Sequence, residues 1–346
     1  MQWPEPRAGA MPRERARLPA AGKAGAGRQG NALHPVQAGL TNHMAVWGQG
    51  QSMRTTGYMS SCRRFLRCLL LGAVVLSLSG CGTSFFYDRA DRFAGRWVNG
   101  YVDLAPEQQA ALDAEFEALH AWHRREHLPR YAAWLRTVGE QLQEPGALGP
   151  GEIEAHVEEL TGFWRELADR ALPPLLQLGA GLEDVQVEEF LARLREEHQE
   201  LTEENGERTP EWRAARRARS MERFLKRWTG GLSAEQRAEV RAWSQQLEPS
   251  REAWLESRAG WINTMERALA ARQDREALEM TARTLIARPE DRWSEEYAGI
   301  VARNSARTTE FLAGFLAGLD ADQRARAVER LESLASDLES LAAQEG

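Results

Sequence analysis

The chain has 346 residues, with 44 Lys or Arg against 51 Asp or Glu, so its formal net charge is −7. Residues 1–80 carry ten basic and two acidic residues, which leaves residues 81–346 with 34 basic and 49 acidic residues and a net charge of −15. Such an acidic body argues against nucleic acid as a partner and against charge-driven docking on anionic lipid.

Residues 1–58 are rich in Gly, Ala, Arg, Pro and Gln and show no hydrophobic periodicity. An export signal normally starts within a few residues of the initiator Met, and Met59 stands four residues before Arg63. We therefore expect translation to begin at Met59, so that residues 1–58 are a non-native upstream extension. A genuine disordered extension is the alternative.

Residues 59–80 have the three parts of an export signal. A basic start around Arg63 is followed by an apolar run from Leu69 to Leu78 and by small residues up to Gly80. The apolar run is shorter than the roughly 20 residues with which a helix spans a bilayer. The pattern therefore predicts a cleaved signal peptide rather than a membrane-spanning helix.

The end of this signal, Leu78-Ser79-Gly80-Cys81, resembles the lipobox of bacterial lipoproteins. The resemblance implies cleavage after Gly80 and acylation of Cys81, which would hold the protein to a membrane through three acyl chains. An ordinary secretory signal, or a core strand with a chance cysteine, is the alternative. In lipoproteins an Asp after the Cys favours the inner membrane, so Gly82 implies the outer membrane, with the body facing the periplasm.

The three cysteines of the chain are Cys62, Cys68 and Cys81, and none follows the predicted lipidation site. The mature protein is therefore expected to have no disulfide, no Cys-based zinc site and no Cys nucleophile.

From Leu104 onward, apolar residues recur with the period of a helix, and no alternating strand pattern is present. The spacing predicts an all-α multi-helix bundle of kinked amphipathic helices over residues 81–346. The predicted helices are Ala105–Glu126, Arg130–Gln143, Glu152–Leu172, Glu183–Glu204, a helix that opens at Thr209-Pro210 and ends at Gly230-Gly231, Ala234–Arg272, Asp274–Arg288, Glu290–Leu319 and Ala321–Ala343. A break or kink is predicted at Leu128-Pro129, an interruption at Pro173-Pro174 and a kink at Pro249.

Tryptophan is frequent, with ten residues after the predicted cleavage site. Most of them occupy core-facing helical positions, which predicts a Trp-rich core with the indole N–H groups bonded to polar neighbours. An aromatic groove for a peptide or a glycan is the alternative.

A short motif, Leu followed by a helix cap and then Gln, recurs at the starts of predicted helices. The copies are Leu104–Gln108, Leu232–Gln236 and Leu319–Gln323, with a poorer copy at Leu182–Gln186. Ser233 with Gln236 forms a capping box, and local capping explains the motif without any function. The motif also resembles the Leu-Thr-x-x-Gln motif of Spy- and CpxP-type periplasmic stress chaperones, although no copy here contains the Thr. That resemblance implies a small helical protein that binds unfolded clients or a sensor kinase.

Three of the five histidines after residue 81 lie close together, at His120, His123 and His127, within about 60° of arc on one helix. The spacing of His123 and His127 suits metal ligation, and with Glu126 they match the His-x-x-Glu-His pattern of inverted zincins, in which the Glu activates water. In the alternative reading this is a polar face beside a proline kink, and Glu126 is equally placed to pair with Arg130.

The same stretch contains Trp122, Arg124 and Tyr131, which are candidate contacts for a partner protein. His156 and His198 are isolated on acidic helices and are expected to be solvated. The chain has no nucleophile elbow, Walker A loop or dinucleotide-binding fingerprint. We therefore expect a binding protein without a cofactor rather than an enzyme.

The whole of residues 81–346 is similar to a family of Gram-negative lipoproteins built on a helical domain of unknown function. The similarity rests on the runs from Cys81 to Arg89, from Tyr101 to Gln108 and from Trp122 to Tyr131. It implies an all-helical periplasmic body on a lipid anchor and assigns no activity. The first hypothesis is a scaffold, assembly factor or chaperone that binds envelope proteins. The second is a metal-binding protein or metallohydrolase that uses His123, Glu126 and His127.

Overall fold

The computed structural model describes Tyr87, Gly95, residues 97–206 and residues 208–344, and their regular structure is helical. The predicted signal peptide, Gly80 and Cys81 lie outside these residues. The α-helices are α1 Pro106–Glu126, α2 Leu128–Gln143, α3 Pro150–Ala180, α4 Asp184–Gly206, α5 Pro210–Thr229, α6 Ala234–Gln246, α7 Arg251–Ala270, α8 Arg275–Ile286, α9 Glu295–Ala317 and α10 Ala321–Ala343, and a short 3₁₀ helix occupies Pro289–Arg292. The all-α prediction is confirmed. No described helix combines the length and the apolar character that a membrane crossing requires.

Side-chain caps and backbone geometry explain where these helices begin and end. Thr209 accepts a hydrogen bond from the backbone N–H of Trp212, and Pro210 occupies the first position of α5, as predicted. The same helix ends at Gly230, whose φ of 86° lies in the left-handed region that favours glycine. Asp274 and Ser294 cap α8 and α9 in the same way.

The predicted interruption at Pro173-Pro174 is wrong, because α3 continues through both prolines. The prolines remove two backbone donors, but Leu172 and Leu176 on either side are buried and pack against Ala268 of α7 and Leu278 of α8. Burial of this apolar face therefore outweighs the local cost of the prolines.

The predicted long helix around Pro249 is instead two helices, α6 and α7, which are separated by residues 247–250. Leu247 is extended and buried. Asn304 of α9 bonds both the backbone N–H and the carbonyl of Glu248, at 2.8 and 3.0 Å. Because these tertiary bonds satisfy the backbone in the gap, the proline ends the helix rather than kinking it. The helix predicted from Glu290 begins later, at Glu295, after the 3₁₀ turn.

The largest hydrophobic cluster is formed by α2, α5, α6, α9 and α10, with α10 packed along α2. A second cluster joins α1, α4 and α7 with the segment before α1. Trp243 is buried in the first cluster and donates to Thr308 at 3.2 Å. The other nine tryptophans after residue 81 are half-buried, and several of them border the clusters rather than fill them.

The four copies of the Leu-cap-x-x-Gln motif meet in two pairs. Gln236 and Gln323 exchange amide hydrogen bonds of 2.9 Å in both directions, and both side chains are buried. Each also accepts from the backbone N–H of its own cap residue, Ser233 or Asp320. The starts of α6 and α10 are therefore joined to each other as well as capped.

The other two copies pair in the same way. Gln108 of α1 and Gln186 of α4 exchange amide bonds of 3.1 and 2.7 Å. Gln186 also donates to the carbonyl of Asp103, and Gln108 donates to that of Gly181. The prediction of local capping holds for these motifs, but it misses their tertiary pairing.

Candidate functional site

The joint between α1 and α2 is the residue His127. The backbone of His127 has helical angles, yet α1 ends one residue before it and α2 begins one residue after it. The break predicted at Leu128-Pro129 therefore falls earlier, at His127, and Pro129, which lacks an N–H, lies in the first turn of α2. The side chain of His127 is completely buried, so this joint places an imidazole inside the molecule.

The structure brings the predicted histidines together as a stack. The rings of His123 and His127 are 5.3 Å apart between centroids and tilted by 22°. Nδ1 of His123 lies 2.9 Å from the hydroxyl of Tyr87, and Nδ1 of His127 lies 3.0 Å from that of Tyr131. The ring of His120 packs on Tyr87 with centroids 4.5 Å apart. We call these five residues the His–Tyr cluster.

Burial holds the imidazoles of His123 and His127 neutral. The pKa of His123 is lowered to about 3, first by burial and then by the charges of His127 and His120. The pKa of His127 is also lowered, first by burial and then by Arg130, although Glu166 opposes the shift. These two stacked rings are therefore uncharged at neutral pH.

The Nδ1 atoms of His123 and His127 each contact a tyrosine hydroxyl, and the two rings are stacked. Within residues 97–206, residues 208–344 and the two described positions before them, no three His, Cys, Asp or Glu side chains are grouped to hold a metal ion. Glu126 pairs with Arg125 at 2.9 Å rather than with Arg130.

Of the three candidate partner contacts, Tyr131 belongs to the His–Tyr cluster, and Trp122 and Arg124 lie beside it. Trp122 packs on His127 with centroids 4.6 Å apart, and Arg124 lies 5.3 Å from the ring centroid of Tyr87. Tyr131 is half-buried, and its ring meets Phe163 of α3 edge to face at 4.9 Å. The contact with Phe163 connects the cluster to α3.

An open groove lies beside the cluster, between α2 and α3, with a volume of about 400 Å³. These helices are consecutive, but α2 packs along α10 whereas α3 packs on α1, α8 and α9. The groove is lined by Arg130, Ala133, Trp134 and Thr137 of α2 and by Glu159, Gly162, Phe163 and Glu166 of α3. Both sets follow the spacing i, i+3, i+4, i+7, so each helix presents a single face to the groove.

An ion pair joins the two sides of the groove next to the His–Tyr cluster. The guanidinium of Arg130 donates two hydrogen bonds to the carboxylate of Glu166, one of them 2.9 Å long. Arg130 also lies over the ring of Phe163, 4.8 Å from its centroid. The pKa of Glu166 is lowered, chiefly by its hydrogen bond from Arg130. Nε2 of buried His127 is 3.5 Å from Glu166, so the cluster forms the wall behind this pair.

A series of hydrogen bonds through His156 and Gln141 holds the side chain of Trp134 in place. Its indole N–H donates to Nδ1 of His156 at 3.1 Å, and Nε2 of that ring is 2.7 Å from Oε1 of Gln141. His156 is therefore neutral, with its proton on Nε2, and burial lowers its pKa. The expectation that His156 is solvated is wrong, because the ring holds a groove-lining indole in place. His198 is also half-buried, and burial lowers its pKa.

Sequence reasoning brought the three histidines together but missed both Tyr87 and the groove. The signal lay in two sets of small and aromatic residues, Ala133 with Trp134 and Gly162 with Phe163, at matching positions on consecutive helices. Periodicity alone treats such positions as core. Only the separation of α2 and α3 leaves them facing an open space.

Comparison with known proteins identifies the family and nothing closer. Residues 100–298, more than half of the chain, match DUF6279, which is described as a family of unknown function. The match covers α1 to α8, and therefore the His–Tyr cluster apart from Tyr87, and all of the groove. No curated protein and no solved structure is detectably similar to the chain.

Proposed function

We propose that this chain, which belongs to the DUF6279 family, is a lipid-anchored binding protein of the bacterial envelope and recognises a partner protein through the groove between α2 and α3. The observation that carries the proposal is the open groove itself, with the half-buried indole of Trp134 on one side and a charged end. Its role is that of a scaffold, assembly factor or chaperone, without a catalytic step.

The composition of the groove suits a segment of another protein. Trp134, which is half-buried, offers apolar surface, while Arg130 and Glu166 offer a donor and an acceptor at one end. Phe163 is buried and forms the floor beneath Arg130. Ala133 and Gly162 leave room beside the indole, and an added Cβ at Gly162 would meet no atom within 4 Å. An amphipathic helix or an extended segment can therefore lie along the groove with an apolar side chain against Trp134.

The predicted lipid anchor at Cys81 is consistent with binding of an envelope protein at the groove. Cys81 precedes Tyr87 by six residues, a distance of about 20 Å when fully extended. Tyr87 packs against His120 and His123, beside the wall of the groove. An acylated Cys81, inserted in the periplasmic leaflet of the outer membrane, would thus keep this side of the body close to the membrane surface, where envelope proteins are concentrated.

Metal binding by His120, His123 and His127 is the alternative proposal. Its support is that burial keeps the imidazole of His123 neutral, which is the form that binds metals. A metal would have to displace the tyrosine hydroxyls from both Nδ1 atoms or use the remaining ring nitrogens with a ligand from elsewhere. Binding through the groove requires no such rearrangement.

Replacing Gly162 with Leu tests the groove directly. The new side chain fills open space in the groove, and removal of a helical glycine favours folding by up to about 1 kcal/mol. We expect an unchanged or raised melting temperature together with a loss of at least about tenfold in partner crosslinking in intact cells. The crosslinker is a photoreactive amino acid at Thr137, on the rim of the groove.

Gly151→Leu is the matched control. Gly151 lies on the same helix, outside the groove, and an added Cβ there also meets no atom within 4 Å. Crosslinking should be unaffected in this variant. Equal crosslinking in the Gly162→Leu and Gly151→Leu proteins would contradict recognition through the groove.

A further inference from the structure

Helix α5 is strongly basic although the chain as a whole is acidic. It carries seven Arg or Lys residues and two Glu residues in 20 positions. Six residues form what we call the α5 stripe, namely Arg208 just before the helix and then Trp212, Arg216, Arg219, Arg223 and Lys226. The five helical members fall within about 80° of arc and extend over about 21 Å.

The α5 stripe lies on the side of the helix opposite to the core. Ala218, Met221 and Leu225 are buried in the largest cluster. Arg219, Arg223 and Lys226 of the stripe are exposed, whereas Trp212 and Arg216 are half-buried. The sequence of α5 therefore places an apolar face on the core and a largely exposed cationic face toward solvent.

The charges of the stripe are not neutralised by neighbouring acids. Among the residues that the structure describes, none of its cations forms an ion pair with Asp or Glu, and Glu222 of the same helix is 3.9 Å from Arg241 instead. The pKa of Arg216 is lowered, first by burial and then by repulsion from Arg223, Arg219 and Arg208, and Glu204 opposes the shift only in part. The stripe thus concentrates positive potential that the fold itself does not use.

The single aromatic residue of the stripe is also informative. Trp212 is half-buried between two guanidinium groups, with Arg208 at 4.8 Å and Arg216 at 5.4 Å from its ring. Indole rings flanked by cations are favoured at the level of lipid headgroups. A row of cations along one helix face matches the flat anionic surface of a lipid bilayer.

We propose that the α5 stripe docks on the headgroups of an anionic phospholipid bilayer. The overall negative charge of the protein does not prevent this, because charges farther than about 8 Å are largely screened at physiological salt. Each basic residue near such a surface contributes about 1 kcal/mol. The site is separate from the groove between α2 and α3, and it would give an anchored body a second contact that fixes its orientation on the membrane.

Arginine labelling with phenylglyoxal, read by peptide mass spectrometry, tests the proposal on the purified native protein mixed with vesicles. We expect the labelling rates of Arg219 and Arg223 to fall at least about fivefold on vesicles with about 30 % phosphatidylglycerol, compared with pure phosphatidylcholine vesicles. Added salt of about 0.5 M should restore both rates. Exposed Arg275 and Arg292 should be unaffected and serve as internal controls.

A paired substitution makes the result specific to the stripe. In the Arg219→Gln, Lys226→Gln protein, Arg223 should be labelled on anionic vesicles as fast as on neutral ones, because two of the contributing charges are gone. Equal labelling of the unaltered protein on both kinds of vesicle would overturn the proposal. So would protection that arises only when envelope proteins are added. The intact mass of the same sample shows whether Cys81 is acylated, so failure of the anchor and failure of the stripe are distinguished.

Discussion

Replacing Gln236 with Leu should lower the free energy of unfolding by about 2–3 kcal/mol. The buried amide of Gln236 exchanges two hydrogen bonds with Gln323 and accepts the backbone N–H of Ser233. Leucine has a similar size but leaves these buried groups without their partner. Urea unfolding followed by circular dichroism measures the change.

Two further variants isolate the contribution of the pair. Gln245→Leu alters an exposed glutamine of the same helix and should change stability by less than about 0.5 kcal/mol. In the Gln236→Leu, Gln323→Leu double variant the two costs should not add, with a coupling of about 1 kcal/mol, because both single variants remove the same bonds. If the losses of unfolding free energy in the two single variants are small and add in the double variant, the glutamines act only as local caps.

The protein should lose stability as the pH falls below about 6.5, well before its carboxylates titrate. The pKa of His123 is about 3 in the folded protein against 6.5 in a free chain. The unfolded state therefore binds the proton first, and stability that is fully present above pH 6.5 decreases as the pH falls toward 3. One such histidine removes about 1.5 kcal/mol between pH 6.5 and 5.

The contribution of His123 to the pH dependence of stability has to be separated from those of the neighbouring titratable groups. The pKa of His127 is lowered as well, so its proton adds to the loss in the same pH range. Glu166, whose pKa is lowered by Arg130, acts only below about pH 4.5. His123→Asn retains a polar atom close to the position of Nδ1, opposite Tyr87, but cannot titrate. Its stability should decline less steeply between pH 6.5 and 5, and a decline as steep as that of the unaltered protein would contradict the assignment.

Local patterns in the sequence were sufficient to predict most of the helices. Caps at Thr209 and Ser233 and the glycine at 230 act within one turn, so their effects can be read from neighbouring residues. The prolines were harder to interpret. Packing of Leu172 against other helices keeps Pro173 and Pro174 inside a continuous helix. Hydrogen bonding by Asn304, which is distant in sequence, makes Pro249 the end of a helix.

The candidate site was predictable only in part for the same reason. Helical spacing placed His123 and His127 on one face, and the structure confirms that they meet. It could not show that Tyr87 and Tyr131 bond their Nδ1 atoms, because these contacts depend on how separate segments pack. The groove was missed because no local pattern specifies the distance between α2 and α3.

The most direct test of the account is the intact mass and metal content of the native protein extracted from membranes with detergent. We predict a mass equal to residues 81–346 plus three acyl chains, with no stoichiometric zinc. That result would establish Cys81 as the anchor on which the proposed function depends. A full-length or unlipidated mass would contradict the anchored binding protein, and stoichiometric zinc that disappears in the His123→Ala protein would favour the metal-binding alternative.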